Sequence, residues 1–394
     1  MKRLVAIGLV FAMALTALAG CGGGGGGGQT SGGGGGGETD VIKIGVFQPL
    51  TGAYSAGGTI EVQGVDLAKK YCEEKFGKLL GKEVELVIVD NKSDTVEAAT
   101  AAAKLVEDDK VDIVLGSWGS GLCMAGGDSF KNSKTIAIGA SCTNPNVTIG
   151  NDYYYRICFL DPFQGTVLAN YAYNTLGATK VAAIYEATND YAVGLYNFFK
   201  EAFETLGGEI VETQMYQTED QDFNSQILTV MAKEPEIIFA PGVESAAAIM
   251  MRQTREAGYN DVIFMGGDTW ETPMLIDLGG EFVEGCIVTT FFDPAAPLND
   301  ITAEFVELYT AEYGTPPAAF TALGFDSYLT AFQAITEAGS TDSDAIMAVL
   351  ENIVVKGVTG DIAFNEIGDA IKNMAVLKTV QNGEFVFMDT VTIE

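Results

Sequence analysis

Histidine is missing from this chain of 394 residues. Its absence excludes the Ser-His-Asp and Cys-His arrangements of nucleophilic catalysis and removes the commonest metal ligand. An enzyme that used an aspartate or a cysteine as its nucleophile would need a base beside it, and no such pattern is present. We therefore expect a protein that is not an enzyme and that holds neither a cofactor nor a metal.

Basic residues are scarce as well. The chain has 22 lysines and arginines against 53 acidic residues, a net charge of −31. Such a field repels nucleic acid and anionic membrane surfaces and disfavours strongly anionic ligands. With 47% hydrophobic residues, the chain can build one large or two medium domains with real cores.

Cysteines are few, and their spacing does not suggest a metal site. Five cysteines remain after Cys21, which is an odd number, and no two of them have the spacing of metal ligands. A zinc site is therefore not expected. Cys123 and Cys142 fall in two neighbouring predicted loops and are candidates for a disulfide. We favour free buried thiols for all five, because sequence alone cannot supply disulfide geometry.

The N-terminus has the pattern of a secretory signal. Lys2 and Arg3 precede an apolar run over 4–19, which ends in Leu18-Ala19-Gly20-Cys21. A cysteine after Leu-Ala-Gly resembles the bacterial lipobox and implies that Cys21 becomes the lipidated first residue. An ordinary signal peptide or an anchor helix is the alternative, although the run is short for a membrane span.

These features predict a signal peptide over 1–20 and a lipidated, glycine-rich tether over 21–40. The protein is then expected outside the cytoplasm, anchored by lipid to the bacterial cell membrane.

Two strand-then-turn units in succession organise the first half of the chain. Apolar runs at 111–115 and 135–138 break at Gly116 and Gly139 into turns of small residues. In a parallel sheet both turns lie on the carboxyl edge, where ligands bind. Hydroxyls and helix N-termini there would receive a carboxylate, and the candidates are Ser117, Ser120, Ser141 and Thr143.

The glycines of the first turn do not give a nucleotide-binding motif. Gly116, Gly119 and Gly121 follow neither the dinucleotide order nor that of a phosphate loop. A tight turn without a ligand remains the alternative interpretation.

Strands alternate with helices along the chain, and the pattern restarts after 153–157. This predicts an α/β protein with two doubly wound, Rossmann-like lobes. Segments 374–380 and 385–388 around Asn382-Gly383 predict a terminal hairpin. Two lobes joined by short crossings describe a hinged clamshell that closes on a ligand.

The chain resembles the leucine/isoleucine/valine-binding proteins, the solute receptors of ATP-driven amino-acid importers. The similarity runs from about residue 41 to 394 through five segments in family order: 41–52 (VIKIGVFQPLTG), 139–145 (GASCTNP), 190–194 (DYAVG), 252–258 (RQTREAG) and 264–268 (FMGGD). It implies a type I periplasmic-binding-protein fold with a three-segment hinge and a monomeric protein. The implied lobes are 41–160 plus 293–366 and 161–292 plus 367–394.

The resemblance also implies the roles of individual residues. Ser120 and Thr143 would bind a ligand carboxylate, and Ser141 would contribute its main chain. Asp268 would pair with the α-ammonium, and Tyr191 would close over the ligand. A zwitterion needs donors at one end and a carboxylate at the other, which agrees with this set. A helix-capping role is the alternative for Asp268.

The chain departs from the family pattern where an aromatic residue lines the pocket. Those positions fall on Gly57 and on Val243, which precedes Glu244. The two tryptophans, Trp118 and Trp270, each lie two residues from an implied contact. We expect them to wall the side-chain pocket, with core packing as the alternative.

The resulting expectation is a lipoprotein that captures a hydrophobic α-amino acid, branched-chain or aromatic, and delivers it to an ABC permease. Two alternatives stay open: a receptor for an amide, urea or an aromatic acid, and a ligand sensor that docks a signalling partner.

Overall fold

The computed structural model describes residues 41–393. The predicted signal peptide, Cys21 and the glycine-rich tether lie outside the described residues. Within 41–393, no helix has the length and apolar character needed to cross a bilayer.

The first sheet has five parallel strands. They are β1 (Val41–Gln48), β2 (Glu83–Asp90), β3 (Ile113–Gly116), β4 (Ala137–Gly139) and β5 (Tyr154–Arg156), in the order β2-β1-β3-β4-β5. The connecting helices are α1 (Ser55–Phe76), α2 (Thr95–Ala103) and α3 (Ser120–Ser133). Strands β3 and β4 are buried. Because they pair in parallel, their carboxyl ends open into loops at the same sheet edge.

The second sheet begins with five parallel strands. They are β6 (Lys180–Glu186), β7 (Glu209–Tyr216), β8 (Ile237–Phe239), β9 (Ile263–Gly266) and β10 (Ile287–Thr290). The helices that accompany them are α4 (Asp161–Asn170), α5 (Asp190–Thr205), α6 (Asn224–Met231), α7 (Glu244–Glu256) and α8 (Pro273–Gly279).

Three helices and four strands complete the chain. The helices are α9 (Asp300–Tyr313), α10 (Ala319–Ala338) and α11 (Ser343–Leu350), and β11 (Val355–Gly357) pairs with β12 (Gly360–Ile362). The last strands, β13 (Met374–Gln381) and β14 (Glu384–Thr392), form an antiparallel hairpin beside β10. Asn382 and Gly383 turn it with φ of 54° and 75°, so the predicted hairpin is confirmed. The second sheet reads β14-β13-β10-β9-β8-β6-β7.

Helix α10 packs directly on α1, which brings a late segment of the chain onto the first sheet. A Cβ added at Gly64 would lie 2.0 Å from the Thr321 carbonyl oxygen, and one at Gly324 would lie 2.1 Å from that of Glu61. The two backbones therefore touch, and only glycine fits at these positions.

The chain passes between the two sheets at 157–160, 291–299 and 363–373. Buried charges fasten these passages: Arg156 Nε lies 2.6 Å from Asp369 Oδ1, and Lys378 Nζ lies 3.0 Å from Asp293 Oδ2. The Phe159 and Phe291 rings stack with centroids 4.1 Å apart. The predicted architecture of two α/β lobes is confirmed, while the stated lobe limits stay a prediction.

The five cysteines in the described part of the chain are buried and free. Cys123 donates to the Ser117 carbonyl at 3.1 Å, so the disulfide considered between Cys123 and Cys142 is not formed. Residues 41–393 bring together no group of three metal-binding side chains.

Candidate ligand-binding site

A cavity of about 70 Å³ lies between loops of the first and second sheets. Ser120 and Ser141, which follow β3 and β4, line one side, and Tyr191 and Asp268, which follow β6 and β9, line the other. All four residues stand near the carboxyl ends of parallel strands, the edge at which α/β sheets bind ligands.

Ser120 places donors on the first-lobe side. It opens α3 directly after Gly119, whose φ of 92° favours glycine. The first amide N–H groups of a helix have no intrahelical acceptor, and the helix dipole favours an anion there. Ser120 Oγ accepts a bond from the Asn144 N–H at 3.1 Å, which leaves the hydroxyl proton free to donate to a ligand.

The loop after β4 supplies Ser141 but keeps Thr143 behind the cavity surface. The Ser141 hydroxyl donates to the Glu61 carboxyl, so its side chain is already engaged. Thr143 is fully buried, its hydroxyl has no partner among the described residues, and it does not line the cavity. Arg156 fixes this loop by donating to the Cys142 carbonyl at 2.9 Å.

Asp268 is the carboxylate on the second-lobe side. It is 1% exposed and follows β9 after a single residue. Its Oδ1 accepts from Gln164 Nε2 at 2.6 Å and from Tyr191 Oη at 2.9 Å. Burial raises the pKa of Asp268 to about 6, although these two hydrogen bonds act to lower it. Because both bonds reach Oδ1, Oδ2 is left to accept from a cationic group.

Trp118 provides an aromatic surface in the cavity, although the positions at which the family has an aromatic residue fall on Gly57 and Val243. It lines the cavity, and a Cβ added at Gly57 would lie only 2.3 Å from its Nε1. The indole thus occupies the space beside Gly57, and the Tyr54 ring packs on it at 5.5 Å. The aromatic surface comes from the loop after β3 instead of from α1.

Two other candidates lie away from the cavity. Trp270 is fully buried in the second-lobe core, where a Cβ added at Gly266 would lie 2.3 Å from its ring. Ser117 is also fully buried, and its hydroxyl donates to the Trp118 carbonyl at 2.9 Å and accepts from Asn91. The structure therefore brings together Trp118, Ser120, Ser141, Tyr191 and Asp268, but not Ser117, Thr143 or Trp270.

Sequence reasoning missed Glu61, which lies directly behind Ser141. Its fully buried carboxyl accepts from Gln48 Nε2 at 2.6 Å and from the Ser141 hydroxyl. Burial raises the pKa of Glu61 to about 8, against both hydrogen bonds. The available signal was spacing: Glu61 shares one face of α1 with Gly57, Gly64 and Val65. A glutamate on an inward helix face points to a bound partner.

Comparisons with known proteins agree with this architecture. The model of the periplasmic binding protein family matches residues 41–384. A Leu/Ile/Val-binding protein homologue of Brucella abortus is 28% identical over 345 residues, 87% of this chain and 91% of its own length.

Two solved structures are also similar. A leucine binding protein, LivK, from Thermotoga maritima is 37% identical with a TM-score of 0.85, over 89% of this chain and 99% of that one. LivJ from Streptococcus pneumoniae, solved with isoleucine, is 29% identical with a TM-score of 0.84, over 90% and 100%. The chain therefore belongs to the periplasmic binding protein family, among the leucine/isoleucine/valine-binding proteins.

Proposed function

We propose that this protein captures a hydrophobic α-amino acid between its lobes and delivers it to an ABC permease. One observation carries the proposal: Asp268 faces the cavity from the second lobe, while Ser120 and the N-terminus of α3 face it from the first. An ammonium and a carboxylate on one ligand satisfy these two groups together. The relatives solved or named with leucine and isoleucine support the side-chain class.

Two hydrogen bonds join the lobes across the cleft. Asn144 Nδ2 donates to the Asp190 carbonyl at 2.9 Å, and Asn189 Nδ2 donates to Tyr54 Oη at 3.4 Å. A ligand bonded to both lobes stabilises this closed arrangement over an open one, which gives a permease a state to recognise. Ligands without an ammonium, such as an amide, urea or an aromatic acid, would leave the buried Asp268 unpaired.

The affinity for leucine is expected to fall in acid because Asp268 must be ionised to pair with the ammonium. With a pKa of about 6 in the unliganded protein, the carboxylate dominates at pH 7.5 and is about a tenth of the population at pH 5. Calorimetric titration should therefore show roughly tenfold weaker binding at pH 5 than at pH 7.5. Equal affinity at the two pH values, or no binding of any α-amino acid, would contradict the proposal.

Anchoring by lipid at Cys21, after removal of residues 1–20, forms part of the proposal. The basic start, the apolar run and the Leu-Ala-Gly-Cys junction support it. Expressed as the full precursor in a bacterial host, the protein should fractionate with membranes and Cys21→Ser should not. Equal membrane fractions for the two proteins would contradict a lipid anchor at Cys21.

A further inference from the structure

Three carboxyl groups mark the carboxyl edge of three adjacent strands in the second sheet. Glu186 ends β6, Glu244 follows β8 as the first residue of α7, and Asp268 follows β9. Strands β6, β8 and β9 are neighbours in the sheet. The proposed amino-acid site uses only Asp268, so two acidic residues beside it are unexplained.

Glu186 and Glu244 are buried and incompletely paired. Both residues are 0% exposed. Within the described chain, no hydrogen bond of normal geometry reaches either carboxyl oxygen of Glu244 or Oε1 of Glu186. Burial raises the pKa of Glu244 to about 7, although the Glu244 N–H and the Thr272 hydroxyl act to lower it. A buried carboxylate is costly unless a cation or several donors compensate it. The buried cations Arg156 and Lys378 pair with other carboxyls, so no ion pair among residues 41–393 supplies that cation.

The two carboxyls adjoin the cavity through two residues that line it. Asn189 donates to Glu186 Oε2 at 2.9 Å and to Tyr54 Oη at 3.4 Å. Burial, followed by the charges of Glu186 and Glu244, raises the pKa of Tyr54 above its usual range. The phenol of Tyr54 thus stands between the acidic pair and the ring of Trp118, which lies 5.5 Å from its own.

We propose that Glu186 and Glu244 form a cation-binding subsite at the side-chain end of the cavity. The protein then also binds α-amino acids whose aliphatic side chain ends in a cation, such as lysine, ornithine or arginine. This inference rests on the proposed binding of the α-amino and α-carboxyl groups at Asp268 and Ser120.

The sheet sets a suitable separation between the two cation sites. Neighbouring strands lie about 4.8 Å apart, so the ends of β6 and β9 are on the order of 10 Å apart. Two charge-assisted bonds of about 2.8 Å each take up about 6 Å of this span and leave about 4 Å between the cationic groups of a ligand. Lysine and ornithine meet this distance with a folded stem, whose methylenes can lie against the rings of Tyr54 and Trp118.

Charge and aromatic surface favour the same class of ligand. The net charge of −31 raises the local concentration of cations near the cleft. Aromatic rings also attract a cation placed over their faces. Leucine and lysine therefore share the α-carbon end of the site and differ only in what their side chains meet.

The test compares L-lysine with L-norleucine, which has a similar unbranched stem but no terminal ammonium, and with L-leucine. Calorimetric titrations would use the wild type, Glu186→Gln, Glu244→Gln and the double variant. We expect the wild type to bind lysine, and the double variant to bind it at least tenfold more weakly while keeping or improving its affinity for norleucine. Glu219→Gln, at an exposed residue of the same lobe, should change neither.

The outcomes separate this inference from the proposed function. Wild-type protein that binds leucine or norleucine but not lysine would overturn the cationic subsite and leave the receptor role intact. Lysine binding that survives both glutamine substitutions would also overturn it. If no α-amino acid binds to the wild type, the proposed function itself fails. The wild-type comparison decides these cases even where a variant does not fold.

Discussion

Replacing Asp268 with asparagine is expected to weaken leucine binding by about 2–5 kcal/mol, because the ligand ammonium loses its buried charge partner. At about 1.4 kcal/mol per factor of ten, this is roughly a 30-fold to several-thousand-fold loss. Asparagine keeps an oxygen to accept from Tyr191 and Gln164, so the fold should survive. Calorimetric titration of the variant measures the loss.

Asp277→Asn is the matched control for this substitution. Asp277 is an exposed aspartate of α8 in the same lobe, and its replacement should leave the affinity unchanged. An Asp268→Asn variant that binds leucine as tightly as the wild type would remove Asp268 from the site.

Replacing Asp369 with alanine is expected to lower the free energy of unfolding by about 3–5 kcal/mol, because it leaves a buried guanidinium without its carboxylate partner. Arg156 is 0% exposed, and its Nε lies 2.6 Å from Asp369 Oδ1. Thr148 Oγ1 donates to the same oxygen at 2.7 Å and would also lose this bond. Urea denaturation followed by circular dichroism measures the change.

A second ion pair in the same protein provides the control. Lys356 Nζ lies 2.5 Å from Asp361 Oδ2, but the two side chains are 71% and 56% exposed. Solvent screens such a pair, so Asp361→Ala should have little effect on stability. If the two substitutions cost the same, burial does not determine the contribution of the Arg156–Asp369 pair.

Local pattern predicted the fold well because the periodicity of apolar residues is a local property. The terminal hairpin illustrates this: alternating strands and the Asn382-Gly383 turn lie within a single short stretch. The turns at Gly116 and Gly139 likewise placed Ser120 and Ser141 on one sheet edge.

Contacts between distant residues could not be predicted in this way. Arg156 and Asp369 are 213 residues apart, and nothing near either one identifies the other. Trp270 and Trp118 have similar sequence positions, each two residues from a predicted contact. Yet Trp118 turns onto Gly57 and reaches the cavity, whereas Trp270 turns onto Gly266 and enters the core. Close approach to a glycine in another element decides each orientation.

The buried acidic residues were missed for a related reason. The spacing of Glu61 places it on the inward face of α1, but only the packing of α10 on that face shows that its carboxyl is buried. Glu244 has the position of an acid favoured at a helix N-terminus, and only its complete burial distinguishes it.

The pairing of Asp268 with a ligand ammonium is tested most directly by comparing leucine with 4-methylpentanoic acid, which has the same carbon skeleton and carboxyl group but no ammonium. Both ligands would be titrated into the wild type and Asp268→Asn at pH 7.5. We expect the wild type to prefer leucine by at least 30-fold, from about 2 kcal/mol or more for the charge pair, and the variant to lose this preference. Equal binding of the two ligands to the wild type would contradict this pairing.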